Sequence, residues 1–132
     1  MSSTTSTNTN SVRLWLNAYI PPLFWAGVIF MFSAQSSLHG SELSLIDFLS
    51  KKLAHMFVYC VLYLLFHRAF QLTLPVKNSP WAWILPFIIC FGYAISDEFH
   101  QSLVPGRYAS PRDIGYDMLG ASIAWLKIYN YI

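Results

Sequence analysis

Apolar residues in this chain come in four long stretches separated by short polar ones. The first stretch runs from Val12 to Phe32 and is interrupted by Pro21 and Pro22. Each proline removes a backbone donor and crowds the carbonyl four residues back, which predicts a kink near Asn17 to Pro21. Trp15, Tyr19 and Trp25 have the amphipathic rings that suit a membrane–water interface. Residues Ser33 to Leu43 form a polar connection with Gly40 as its turn. The second stretch starts at Ser44, where Ser44-Leu45-Ile46-Asp47 has the Ser-x-x-acid form of a capped helix start, and extends to about Phe70. Gln71 to Pro80 is a link containing Pro75 and Pro80. The third stretch begins at Trp81 and continues as helix through Gln101, with Pro86 in its first turns.

Val104-Pro105-Gly106-Arg107 reads as a turn, because proline presets φ and glycine accepts a positive one. The fourth helix opens on Ser110 as N-cap, Pro111 at the first helical position and Asp113 as a capping carboxylate, and it runs to Ile132. About 20 apolar residues cross a bilayer. The pattern therefore predicts an all-α integral membrane bundle with four transmembrane helices over residues 12–132, preceded by a disordered polar tail over residues 1–11. The first stretch lacks a positively charged start and a small-residue cleavage site, so it reads as a retained helix and not a cleaved signal.

Composition strengthens the membrane reading. Of 132 residues, 55% are hydrophobic and only 11% charged. Soluble domains carry about a quarter charged residues, and a chain this short has too little interior to hide so much apolar surface. The net charge of +2 and the lack of any basic tract argue against a nucleic-acid partner. Cys60 and Cys90 lie inside apolar runs and read as small core residues. Lys and Arg are nearly balanced between the two sides. Arg13, Arg68, Lys77 and Lys127 fall on one side, and Lys51, Lys52, Arg107 and Arg112 on the other. The second group sits among acidic residues, so both termini are expected inside.

The charges are not scattered. Residues 96–120 hold four of the six acidic residues and two of the eight basic ones. Helical spacing puts Lys51, His55 and Tyr59 at successive fours, with Lys52 three before His55. Glu98 and Gln101 follow Asp97 on the third helix, and Asp113 and Asp117 lie four apart on the fourth. Gly120, Ala121 and Ala124 continue that last stripe with small residues, which allow a neighbouring helix to come close. Ser33, Gln35, Lys52, His55, Tyr59, Asp97, Glu98, Gln101, Arg107, Asp113 and Asp117 are all expected at the outer end of the bundle. Ionisable groups at membrane depth are costly and mark function by default. Two readings remain open: a ligand pocket, or an ion-pair and hydrogen-bond cluster that clamps helices. His39, His67 and His100 read as solvated or interfacial. A single His among several acids lacks metal-ligand spacing such as His-Glu-x-x-His, so neither a metal nor another cofactor is expected.

Three blocks of this sequence resemble the VanZ-like membrane proteins, named for a protein linked to teicoplanin resistance. They are Phe32-Ser33-Ala34-Gln35, the Lys52-x-x-His55-x-x-x-Tyr59 block, and Asp97-Glu98-x-x-Gln101 followed by Pro105-Gly106-Arg107, Asp113, Asp117 and Gly120. The chain departs from the family pattern at Asp117, where Asn is usual, and at Lys51, where an acid often stands. The resemblance implies an all-helical, multi-pass protein of the bacterial cytoplasmic membrane with a link to the cell envelope or to glycopeptide and lipoglycopeptide susceptibility.

Two functions are consistent with these residues. In the first, an outward pocket binds a lipid head group, a cell-wall precursor or an amphiphilic antibiotic, with Arg107 and Lys52 holding anionic groups. In that pocket Asp97, Glu98 and Asp117 hold cationic groups and orient His55. In the second, a membrane enzyme acts on a lipid-linked substrate, with Glu98, His55 or Asp97 in acid–base roles and Arg107 stabilising negative charge. Membrane lipids are the expected partners in either case. Assembly into a homo-oligomer is compatible with both, and would supply the repeat that a transporter needs and that this chain lacks.

Overall fold

The computed structural model describes residues 4–34, 45–107 and 109–132. Four helices account for nearly all of them: α1 (Thr4–Ser33), α2 (Leu45–Thr73), α3 (Trp81–Ser102) and α4 (Pro111–Ile128). No strand is present among the described residues. The expected all-helical bundle is therefore what the chain forms.

Three helices contain spans long and apolar enough to cross a membrane: Asn10–Ser33, Phe48–Thr73 and Trp81–Ser102. The α4 helix has 18 residues and carries Arg112, Asp113, Asp117 and Lys127, which makes it shorter and more polar than the others. At about 1.5 Å per residue it spans roughly 27 Å, close to the thickness of a bilayer core.

Helix α1 shows local detail that the sequence pattern did not specify. Helix α1 reaches back to Thr4, into the stretch whose composition suggested a disordered tail. Extending an existing helix by one residue costs far less than nucleating one, so the apolar segment carries polar neighbours with it. The same helix passes through Pro21 and Pro22 as one element of 30 residues. Trp25 packs against the core and donates its indole N–H to the Val58 carbonyl at 2.9 Å. The proposed capping Ser44 lies outside the described residues.

The core is a seam where all four helices meet. Ile29, Tyr59, Leu62, Tyr63, Cys90, Ala94, Ala121 and Ala124 are buried there. Leu62 and Phe70 belong to this interior, whereas Phe57 on the same helix is 63% exposed. Outward-facing positions on every helix are apolar, including Leu23 and Phe24 on α1, Leu64 on α2, Ile88 and Phe91 on α3, and Leu119 on α4. So large an apolar exterior is the surface of a protein solvated by lipid.

The closest packing joins α2 to α4. A Cβ built on Gly120 would fall 2.0 Å from the Met56 carbonyl oxygen. The two backbones touch there, which sets how α4 is seated along α2. Helix α1 is tied on by long-range bonds. Tyr93 donates to the Ala26 carbonyl at 2.5 Å, and the Tyr19 hydroxyl meets Thr73 at 3.0 Å. Between α3 and α4 the chain reverses through Val104–Arg107. The Arg107 N–H returns to the Val104 carbonyl at 3.1 Å, and Gly106 takes φ 79° as the Pro-Gly pair predicts.

Candidate ligand-binding site

The contact at Gly120 brings the polar stripe of α2 alongside that of α4. Lys52 pairs with Asp113, its ammonium also lying 5.4 Å from the ring centroids of both Phe48 and Tyr116. One turn further in, His55 Nδ1 stands 2.9 Å from Asp117 Oδ1. Residues 52 and 55 on one helix and 113 and 117 on the other advance by one turn each, so the pairs stack as two rungs. The outer rung is partly exposed. In the inner one, Asp117 has a side-chain exposure of 0%. Asp113 does not act as the side-chain cap its position suggested, because Lys52 takes its carboxylate.

Asp97 and Gln101 make a rung of their own within α3, where the Gln101 amide donates to Asp97 Oδ2 at 2.9 Å. Glu98 points elsewhere. Its Oε2 accepts the Ser110 backbone N–H at 2.7 Å, which ties the end of α3 to the start of α4. Ser110 has the extended backbone of an N-cap but makes no side-chain cap bond. Arg107 reaches across the bundle, its guanidinium donating to the Phe32 and Ser33 carbonyls at 3.4 and 3.3 Å. These carbonyls end α1, where a cation complements the negative end of the helix dipole. Among the described residues no carboxylate stands within ion-pair distance of Arg107.

Several of these groups keep unused bonding capacity. Ser33 Oγ, Tyr59 OH, Asp97 Oδ1, Glu98 Oε1, Asp117 Oδ2 and Arg107 Nε are buried atoms without a hydrogen-bond partner. Burying a polar atom unpaired is expensive, so these atoms are candidates for contact with water or a ligand.

A cleft of about 360 Å³ opens beside this network. One wall is the α1 face Trp25, Val28, Ile29 and Phe32, residues spaced three and four apart. Ala54, Phe57 and Val58 of α2 form the facing wall. His55, Asp97, Gln101 and Arg107, with Ser33, close its polar end. The volume falls within the range of roughly 300–1,000 Å³ usual for small-molecule sites.

The structure thus brings Lys52, His55, Asp97, Glu98, Gln101, Arg107, Asp113 and Asp117 to one end of the bundle, but not into one cavity. Only His55, Asp97, Gln101 and Arg107 of that group line the cleft. Tyr59 is fully buried in the core beneath it. Gln35 lies outside the described residues. Of the three acids expected to orient His55, only Asp117 bonds it, because Asp97 and Glu98 are turned toward Gln101 and Ser110. The apolar walls were not singled out from the sequence. Their signal was the 25, 28, 29, 32 spacing on the first helix, which on its own is indistinguishable from lipid-facing periodicity. Among the described residues no group of His, Cys, Asp and Glu is arranged to hold a metal ion.

A family model described as VanZ/LLP1 matches residues 2–131, essentially the whole chain. Neither the curated proteins nor the solved structures contain a match to it.

Proposed function

The chain belongs to the VanZ/LLP1 family, and from that premise we propose that it is an envelope protein of the bacterial cytoplasmic membrane whose cleft binds the polar part of an amphiphile. The occupants considered are a lipid head group, a lipid-linked cell-wall precursor or a lipoglycopeptide. Helix α4 is the fourth crossing in this reading, both termini are inside, and the polar end of the cleft lies in the outer leaflet.

The observation that carries the reading is the joining of opposite chemistries in one cleft. Its walls are aliphatic and aromatic, while its end presents Arg107, Asp97, Gln101 and His55. Such a space suits a molecule with a greasy part and a charged part. The family resemblance supports considering a glycopeptide-related amphiphile among the occupants.

Small molecules that co-purify with the protein test this directly. Mass spectrometry of wild type should find a stoichiometric amphiphile, and an Arg107→Ala variant of equal abundance should lose most of it. A wild-type protein that carries no amphiphile would remove the proposal.

A second reading rests on His55. Its Nδ1 stands 2.9 Å from Asp117 Oδ1, a carboxylate placed to hold the ring in the Nδ1–H tautomer, while the ring lines the cleft. A carboxylate that fixes one ring nitrogen and leaves the other for substrate is the arrangement of a general base. On this reading the protein is a membrane enzyme acting on a lipid-linked substrate. Turnover of a lipid-linked precursor by purified wild type, lost in His55→Gln, is the required result.

A further inference from the structure

The cleft is elongated in a particular direction. Its α1 wall runs from Ser33 back to Trp25, a rise of eight residue steps and therefore about 12 Å along the helix axis. One leaflet of hydrocarbon is roughly 15 Å deep, half of a bilayer core of about 30 Å. The cleft thus follows the helix axis through most of the apolar depth of a leaflet. Phe32 and Phe57 stand on its two walls and are each 63% exposed, so it opens sideways between α1 and α2. In the membrane placement proposed above, such a sideways opening faces acyl chains, not water.

The polar end has a charge pattern of its own. Asp97 is 4% exposed and lines the cleft, and its Oδ1 has no partner. Among the described residues no cation lies within ion-pair distance of it. Among the described residues Arg107, in the same cleft, likewise has no carboxylate within ion-pair distance, and its Nε is buried and unpartnered. The two do not neutralise each other. An occupant that balances both must carry an anion and a cation a few bonds apart.

We propose that the opening between α1 and α2 is a lateral seat for a zwitterionic, ammonium-bearing phospholipid. One acyl chain lies along the Trp25–Phe32 face of α1. Arg107 holds the phosphate, and the Asp97 oxygen left free by Gln101 accepts from the ammonium. This assignment rests on the amphiphile-binding reading above and narrows it to an occupant and a route. Arg–phosphate pairing is geometrically specific, and a buried carboxylate demands a charged donor.

Native mass spectrometry of the full-length, delipidated protein tests it, using phosphatidylethanolamine and phosphatidylglycerol with identical chains. Wild type should favour phosphatidylethanolamine by about tenfold or more, the effect of a single charged hydrogen bond. Asp97→Asn should bind both lipids and show no preference. Val28→Trp, which fills the cleft from α1, should lose binding of both about tenfold at an unchanged melting temperature. Ala54→Trp makes the same test from α2.

A wild type that binds the two lipids equally, or prefers phosphatidylglycerol, overturns the zwitterion assignment. Plugged variants that bind like wild type, while Arg107→Ala does not, overturn the lateral seat and leave head-group binding standing. Retention of binding in Arg107→Ala removes both. Photoreactive-acyl phosphatidylethanolamine added to wild type needs no variant at all. Crosslinks should concentrate on residues 25–32 and 54–58, and crosslinks spread evenly over the outer faces would also overturn the seat.

Discussion

Gly120 of α4 lies against the backbone of Met56 on α2, so closely that a Cβ would come within 2.0 Å of the Met56 carbonyl oxygen and 2.8 Å of its Cα. Backbone atoms cannot rotate aside as a side chain can. Gly120→Ala must push the two helices apart, and we expect a loss of at least ~1–3 kcal/mol, the usual cost of overpacking. The shift also pulls both polar rungs out of register. Gly115, on the same helix, has nothing within 4 Å of its Cβ position. Gly115→Ala should be neutral or stabilising by up to about 1 kcal/mol through helix propensity. Thermal unfolding of the two variants in detergent compares them under one condition, and equal effects would contradict the contact.

Asp117 is a position where the family resemblance leads one to expect Asn. It is fully buried and engaged with His55. Asparagine keeps an oxygen that accepts the His55 Nδ1 proton. Asp117→Asn should therefore remain near wild-type abundance, whereas Asp117→Leu strands the imidazole and should cost about 1–3 kcal/mol. Membrane abundance and melting temperature of the pair decide the matter. Equal losses would show that the charge, not the hydrogen bond, holds α2 to α4.

Glu98 accepts the Ser110 backbone N–H at 2.7 Å. A glutamine carbonyl can accept the same bond and a leucine cannot. We expect Glu98→Gln to retain protein level and ligand binding, and Glu98→Leu to lose about 1–3 kcal/mol as the half-buried Ser110 N–H goes unpaired. Loss of function in Glu98→Gln at normal abundance would instead assign Glu98 a proton-transfer role.

Orientation is open to chemical labelling. Ser102 and Asn78 are exposed residues at opposite ends of the bundle. Single cysteines at these positions, in a Cys60→Ala and Cys90→Ala background, report which end faces outward. An impermeant thiol reagent on intact cells should label position 102 and spare position 78. The reverse pattern would place the polar end of the cleft on the cytoplasmic side.

Local features of the chain were readable in advance because they are settled by neighbours in sequence. The apolar stretches became helices, and Ser110 and Pro111 mark the start of the fourth. Pro105 and Gly106 make the turn, and Asp97 with Gln101 form the expected i, i+4 pair. Composition also settled the solvent, since a surface so apolar has no other stable surroundings.

Partner choice across helices was a different matter. Three carboxylates were equally plausible neighbours for His55, and spacing alone does not rank them. The Gly120–Met56 contact ranks them by setting the register of α4 on α2, which delivers Asp117 to His55 and Asp113 to Lys52. Arg107 meets the end of α1 and Glu98 a backbone N–H because the α3–α4 turn directs both toward unsatisfied main-chain groups. The cleft itself depends on how far α1 stands from α2. That distance follows from side-chain volumes on two helices distant in sequence, which only their packing together can decide.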